Sequence, residues 1–356
     1  MAEPIRVLVV GLGKMGACHA RAYHRHPGFE IVGIMSRSIK SAAVPRELIG
    51  YRLYEDFDTA LAELRPAAVS INSWPNTHVE YASKAMNAGA HVFMEKPIAT
   101  TVEEAQYLAA LALATNRKLV LGYILRVHPT WIKFIELGRT LGSPLVMRFS
   151  LNQQSNGPAW TWHKNLIDSL SPVVDSGVHY VDVMCQLTRA QPIRVHGIGA
   201  ALWADAAKPS YGHLHVAFDD GSVGWYEAGW GPMMTGVADV VREVLGPEGA
   251  VSIVPHSAAE PKGHSPIRDG AVADVVQIHR GTVSPSDRTF VDRDAILTLA
   301  DAPDQQQLCD REQAFFLRAI NENIDLGASI DAAVSGLRVV LAAEQSMKEG
   351  RAIELA

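Results

Sequence analysis

The chain has 356 residues, of which 48% are hydrophobic and 20% charged, and a formal net charge of -6. That length exceeds the roughly 250–300 residues at which a single core stops growing, so two domains are expected, with apolar material enough for both. The balance excludes a disordered or fibrous chain, and no basic run is long or aromatic-interleaved enough to track a nucleic-acid backbone. From residue 5 to 121, short β-branched runs alternate with helical patterns, which predicts a parallel sheet wrapped on both faces. Strands are expected over 5–10, 30–35, 68–72, 91–94 and 118–122, and helices over 14–25, 57–64, 77–88 and 102–114. The runs Val7-Leu8-Val9-Val10 and Ala68-Val69-Ser70-Ile71 are close to continuously apolar, as strands buried on both faces should be.

After Arg126 the texture changes. A helix over 129–137 and a strand over 145–152 lead to one helix from 172 to 187, then to strands over 194–203, 212–218 and 222–230. Asp219-Asp220-Gly221 joins the last two as a hairpin, so this region is an antiparallel meander. Strands over 240–245 and 272–279 extend it, the Pro/Gly-rich stretch 255–270 is read as a mobile loop, and helices over 304–322 and 330–348 close the chain. Trp225 and Tyr226 are neighbours and point to opposite faces of the pleat. Both faces are therefore expected to be covered, one by helices and the other by a second copy of the chain, giving a homodimer or homotetramer through the open sheet.

Cys18, Cys185 and Cys309 are odd in number, far apart and set in apolar helical stretches, which gives neither a disulfide framework nor a zinc-type spacing. No stretch approaches the roughly 20 apolar residues of a membrane span, and the short apolar run at the N-terminus ends in glycines. A cytoplasmic protein with no membrane partner is expected.

Gly11-Leu12-Gly13-Lys14-Met15-Gly16 is a G-x-G-x-x-G directly after an apolar strand and at the start of an amphipathic helix. The glycines permit a tight turn and close approach of the backbone to a pyrophosphate, and the helix N-terminus offers its free N–H groups to an anion. This predicts dinucleotide binding on a Rossmann domain at 1–125. The whole is then an α/β chain: an N-terminal doubly wound parallel sheet, and a C-terminal α+β domain at 126–356 with a large, mainly antiparallel open sheet. At the end of the second strand, where a carboxylate would bind a free ribose 2′-hydroxyl, stand Ser36-Arg37-Ser38, with Lys40 close behind. A hydroxyl and a guanidinium suit a 2′-phosphate, which favours NADP over NAD. Arg37 stacked on adenine, which either cofactor allows, is the other reading.

Two further clusters carry chemistry. Glu95-Lys96-Pro97 follows a buried strand at the carboxyl edge of the sheet, where ligands of such folds bind. Asp175-Ser176-Gly177-Val178-His179-Tyr180-Val181-Asp182 places Asp175, His179 and Asp182 on one face of the expected helix. Each cluster taken alone reads first as solvated charge. His213 and His215 alternate on one strand face without a third ligand, so no metal site is expected. Ser171 and Ser176 lack a nucleophile-elbow pattern, which sets hydrolytic serine chemistry aside.

Together these motifs resemble the Gfo/Idh/MocA family, the glucose–fructose oxidoreductase and inositol dehydrogenase group. The likeness runs along nearly the whole chain: the glycine loop followed by His19, then Ser73-Trp74-Pro75-Asn76-Thr77-His78, Glu95-Lys96-Pro97, Gly122-Tyr123-Ile124-Leu125-Arg126, and D-x-G-x-H-x-x-D at 175–182. The glycine loop is shared with many families, while the last pattern paired with Glu-Lys-Pro is far more specific. The resemblance implies that Lys96 contacts both the nicotinamide ribose and the reacting oxygen, that Asp175 binds substrate and that His179 is the acid–base. It adds Ser73, Trp74, Asn76, His78 and Glu95 to the cofactor contacts, and Arg126 to the substrate contacts. Trp160, Trp162 and His163, with Lys164, lie just upstream of the helix, and aromatic faces suit sugar C–H surfaces. The chain departs from the family at Leu170-Ser171-Pro172-Val173-Val174, where a glycine run is usual, and at Trp74. The implied activity is hydride transfer between a nicotinamide and a secondary alcohol or ketone of a sugar, cyclitol or related polyol. The alternatives are a glycosidase-like lyase that retains its cofactor and a non-catalytic dinucleotide sensor.

Overall fold

The computed structural model describes residues 3–39, 44–203, 205–235, 240–254, 275–299 and 303–355. Lys40, the stretch 255–270 and the start of the strand expected at 272 lie outside the described residues. Contacts divide the chain into two compact units, 1–127 with 303–334 and 128–302 with 335–356. Residues 303–334, which a division after 125 assigns to the second domain, thus pack with the first.

In the first unit β1 (Ile5–Val10), α1 (Lys14–Arg25), β2 (Phe29–Met35), β3 (Leu53–Tyr54), α2 (Phe57–Leu64), β4 (Ala68–Ile71), α3 (His78–Asn87), β5 (His91–Glu95), α4 (Val102–Thr115) and β6 (Leu119–Gly122) follow in order. Their strands pair as β3-β2-β1-β4-β5-β6, all parallel. Val7, Leu8, Val9, Val10 and Val69 are wholly buried, which is why these runs carry no polar alternation. Helix starts follow side-chain chemistry: Asp56 accepts from the Thr59 N–H at 2.8 Å, and Thr101 with Glu104 forms a capping box at α4. Because the strands step outward from β1 on one side and from β4 on the other, a crevice opens at the carboxyl ends of that pair.

The second unit begins with α5 (Pro129–Gly138), β7 (Val146–Gln154), α6 (Gly157–Leu166), α7 (Pro172–Asp175), α8 (Gly177–Thr188), β8 (Pro192–Ala200), β9 (Tyr211–Phe218) and β10 (Val223–Gly231). It continues with β11 (Arg242–Gly246), β12 (Gly249–Val254), β13 (Val275–Arg280) and β14 (Ala295–Thr298). Helix α9 (Gln305–Asn321) belongs to the first unit; residues 335–349 of α10 (Gly327–Glu349) and β15 (Ile353–Glu354) complete the second. The sheet runs β14-β13-β12-β11-β7-β10-β9-β8-β15, and among the described residues only the β7–β10 pair is parallel. The β9–β10 hairpin turns where Asp219-Asp220-Gly221 predicts it.

Trp131, Phe134, Phe149, Tyr180 and Tyr226 form one aromatic core under the helices, with Trp131 5.6 Å from Phe134 and Tyr180 stacked on Tyr226 at 4.8 Å. Truncating such a ring typically costs about 3–5 kcal/mol. One expectation is corrected. The helix over 172–187 is broken at Ser176 into α7 and α8, so Asp175 and His179 do not share one uninterrupted helix. Of the two sheet faces, the described chain covers the one bearing Tyr226, while Trp225 is half-buried and Val223, Val146 and Ile198 are 45%, 43% and 51% exposed. Helix α6 and strands β3, β12, β14 and β15 were not expected. Asn156-Gly157-Pro158 at the beginning of α6 is a legible helix start, with proline in the first turn.

Candidate active site

The glycine loop is shaped by contacts that leave no room for a side chain. Gly11 has a φ of +86°, and a Cβ there would lie 2.5 Å from the Asn72 carbonyl oxygen at the end of β4; one on Gly16 would lie 2.2 Å from the Gly11 oxygen. Gly13 differs, since a Cβ on it would meet nothing within 4 Å. It is the N-cap of α1 and provides no side-chain cap, and no acidic residue occupies the first turn. The helix therefore presents uncapped N–H groups and its positive end to open space, the arrangement a pyrophosphate fits. Leu12 lies in the turn itself, and Lys14 and Met15 begin the helix.

At the end of β2, Ser36 is buried and its N–H donates to Tyr54 O at 2.9 Å, while Arg37 and Ser38 are exposed. Ser73 and Thr77 join their hydroxyls at 2.6 Å across the loop after β4, with Trp74 42% exposed and Asn76 exposed. His78 is a correction. Its ring is fully buried, with Nδ1 2.8 Å from Pro97 O and Nε2 3.1 Å from Ser73 O, so it braces two loops and has no face left for a cofactor. Burial lowers its pKa and the two carbonyls oppose that shift.

Half-buried Lys96 follows β5, and its backbone N–H donates to Glu95 Oε2 at 3.2 Å. Gln313 Nε2 donates to His19 Nδ1 at 2.8 Å, which puts the imidazole proton on Nε2, 2.9 Å from Glu95 Oε1. This relay from α9 through α1 to β5 orients the carboxylate next to Lys96. Arg126 lies 4.7 Å over the Tyr123 ring and donates to the Ser329 carbonyl at 3.3 Å. Glu312, which directly precedes Gln313 on α9, is buried, and neither carboxylate oxygen has a hydrogen-bond partner among the described residues. Burial, reinforced by the charge of Glu95, pushes its pKa well above the usual carboxylate range. The folded chain thus favours the protonated acid: the associated stability is full below about pH 4 and drains as pH rises. Glu312→Gln should remove that drain, raising the thermal midpoint by about 2–4 °C at pH 8 and little at pH 5, in a calorimetric pH series.

In the second unit Asp175 is 8% exposed and accepts from Ser176 Oγ at 3.4 Å, and His179 is half-buried on the first turn of α8. A Cβ on Gly177 would lie 3.2 Å from the Tyr226 ring, so the glycine of D-x-G-x-H lets α8 seat against the core. Asp182 is buried and accepts from Gln186 at 2.8 Å. Helix α6 carries an aromatic shelf. His163 is buried and stacked on Trp230 at 4.5 Å, and burial lowers its pKa to about 4 against the opposing pull of Asp175. Trp160 meets Trp203 edge-on at 4.7 Å with Lys164 5.8 Å above its ring, and Trp162 is 44% exposed. Trp203 and Trp230 were missed by sequence reasoning; Trp230 shares the inward register of Tyr226 on β10, a signal that was available. His213 and His215 lie 5.5 Å apart on the sheet. Among the described residues the three-donor group close enough to suit a metal is His19, Cys309 and Glu312, and both nitrogens of that histidine are already engaged.

Residues 5–123 match the GFO_IDH_MocA model, described as an oxidoreductase family with an NAD-binding Rossmann fold, and residues 135–355 match its C-terminal alpha/beta domain. The chain belongs to the Gfo/Idh/MocA oxidoreductase family. It is 30% identical over 203 residues to the UDP-N-acetylglucosamine 3-dehydrogenase of Acidithiobacillus ferrooxidans, covering 57% of this chain and 60% of that protein. The inositol 2-dehydrogenase of Pseudomonas savastanoi pv. phaseolicola is 30% identical over 173 residues, 47% of this chain and 51% of that protein. The chain thus spans about half to three-fifths of these relatives' lengths. The Lactobacillus casei scyllo-inositol dehydrogenase, solved with NAD(H) and scyllo-inositol, superimposes with a TM-score of 0.75 at 20% identity over 99% of both chains, a likeness of fold. Among the described residues no helix is long and apolar enough to cross a membrane.

Proposed function

We propose that this protein is a nicotinamide-dependent dehydrogenase or reductase acting on a secondary alcohol or ketone of a sugar, cyclitol or related polyol. The observation that carries this is the open, uncapped cradle at Gly13 with Lys96 at the same carboxyl edge of the sheet, in a family whose aligned relatives are named as sugar and inositol dehydrogenases. When bound, the nicotinamide supplies the hydride acceptor or donor. In oxidation His179 takes the hydroxyl proton, a task its imidazole suits because the ordinary pKa of about 6.5 lies near neutrality. The Lys96 ammonium lowers the cost of the alkoxide that forms, and in reduction it polarises the carbonyl while His179 returns the proton. Asp175 accepts a hydrogen bond from a second hydroxyl, and the faces of Trp160 and Trp162 suit sugar C–H surfaces. A panel of polyols and keto-sugars with both oxidation states of the nicotinamide tests the assignment by the change in its absorbance.

NADP is the preferred cofactor in this reading. Arg37 and Ser38 are exposed at the end of β2, whose own last residues include no carboxylate, and Asp56 nearby is committed to capping α2. Arg37→Ala should weaken NADPH binding by about tenfold and NADH by less than twofold, the loss expected of one charge-assisted pair. Fluorescence titration of both dinucleotides reads this directly, and equal losses would assign Arg37 to adenine stacking. A reducing cytoplasm fits the three free cysteines.

The uncovered sheet face around Val223 and Trp225 belongs, in this reading, to a homodimer or homotetramer. Val223→Glu should lower the mass measured by light scattering at micromolar concentration, because a carboxylate there would be buried unpaired. A wild-type monomer would contradict the assembly.

A further inference from the structure

A chain of polar groups runs through the first unit from α9 to the end of β5. Gln313 Nε2 donates to His19 Nδ1 at 2.8 Å, His19 Nε2 donates to Glu95 Oε1 at 2.9 Å, and the Lys96 backbone N–H donates to Glu95 Oε2 at 3.2 Å. Glu95 is therefore gripped at both oxygens, by a ring from α1 and by the peptide of the residue that follows it. Gly122, opposite Glu95 on β6, leaves the space the carboxylate needs, since a Cβ there would lie 3.2 Å from Oε2. Beyond Lys96, the Pro97 carbonyl oxygen lies 2.8 Å from His78 Nδ1. The backbone that carries Lys96 is thus fastened on both sides.

His19 and Gln313 are wholly buried, so neither is open to a substrate or a dinucleotide. Packing α9 on α1 needs no polar atoms at this point; what a buried hydrogen-bond relay adds over apolar contact is a fixed direction. The ring is also set by Phe93, with centroids 4.8 Å apart. Glu312 completes the surroundings: its carboxyl and a His19 ring nitrogen lie within 4.8 Å of each other. Burial and the charge of Glu95 favour its protonated form, so it does not draw the His19 proton away from Glu95.

We propose that His19, its ring locked by Gln313, is a positioning residue for Lys96, and that this relay sets the rate of the chemical step from a place no ligand reaches. The inference rests on the reading of Lys96 as the ammonium beside the reacting oxygen. Without the His19 N–H, Glu95 loses the bond that holds the plane of its carboxylate. The Lys96 N–H then loses a fixed acceptor, and the ammonium shifts with its backbone. A displacement of about 1 Å at a reacting group typically costs about 10²-fold in rate. The glycine loop keeps its own packing on Asn72, so dinucleotide affinity is expected to hold.

The test compares two variants of the full-length protein: His19→Leu, which keeps the space filled, and His19→Gln, whose amide N–H replaces that of Nε2. On the polyol that the panel identifies, His19→Leu should lower kcat by about 10²-fold with the KM values for dinucleotide and polyol within about twofold, and His19→Gln should recover most of that loss. Added to Lys96→Ala, His19→Leu should cost no further rate, because both remove the same stabilisation. Hydrogen exchange at the Lys96 amide, read by NMR, should be about tenfold faster in His19→Leu than in wild type or His19→Gln. That readout needs no substrate, so it decides the placement of Lys96 even if no polyol is turned over. Gln313→Met, which releases the ring while preserving bulk, should accelerate exchange of the same amide, and it takes over if His19→Leu does not fold. An unchanged Lys96 amide in these variants, a rate loss that multiplies with that of Lys96→Ala, or a loss expressed in KM with kcat intact would each overturn the proposal.

Discussion

Replacing Lys96 by alanine is expected to lower kcat/KM by about a thousandfold while leaving dinucleotide affinity within about twofold. The separation follows from where each interaction is made. In the proposed reading the pyrophosphate rests on Gly11, Gly13 and the first turn of α1, none of which the substitution touches. The ammonium acts on charge that develops on the reacting oxygen, and removing one such stabilising group typically costs about 10²–10³ in rate. Steady-state kinetics beside fluorescence titration of the dinucleotide distinguish the two quantities. A variant that binds cofactor weakly and turns over normally once saturated would make Lys96 a binding residue only.

His179→Asn should lower turnover by about 10²–10⁴, the range expected for a lost general acid–base. The pH dependence carries the sharper information. In the oxidation direction the imidazole must be neutral to accept the hydroxyl proton, so the wild-type rate should rise with pH as that imidazole loses its proton and then level. The variant's residual rate should lack that limb. A residual rate with the same limb would move the acid–base role to another group. His163 is not a substitute: it is buried, stacked on Trp230, and its pKa is lowered to about 4, so it stays neutral throughout this range.

What was readable from the residues, and what was not, follows the distance over which each feature is encoded. The glycine loop, the buried strand leading to Lys96 and the Asp219-Asp220-Gly221 hairpin are local, and a few consecutive residues carry the whole constraint. The placement of 303–334 in the first unit is not local, since no pattern near Gln313 announces that its amide will fix the tautomer of His19. The burial of His78 depends on Pro97 from another loop, and a contact of that kind leaves no trace in a window around residue 78. The break at Ser176 is of the same sort. The helix over 172–187 is continuous by periodicity, and it is interrupted where the chain packs Gly177 against Tyr226 of β10. The aromatic shelf sits between these cases: Trp160 and Trp162 were visible, whereas Trp203 and Trp230 join them only through pairings remote in the chain.

The most direct measurement of the central claim mixes purified enzyme with each polyol of a sugar and cyclitol panel and oxidised dinucleotide in excess, then counts reduced dinucleotide against keto product. The account predicts one reduced dinucleotide per substrate molecule oxidised, and loss of both signals in Lys96→Ala. Product released without net change in the dinucleotide, or equal yields from wild type and variant, would contradict it.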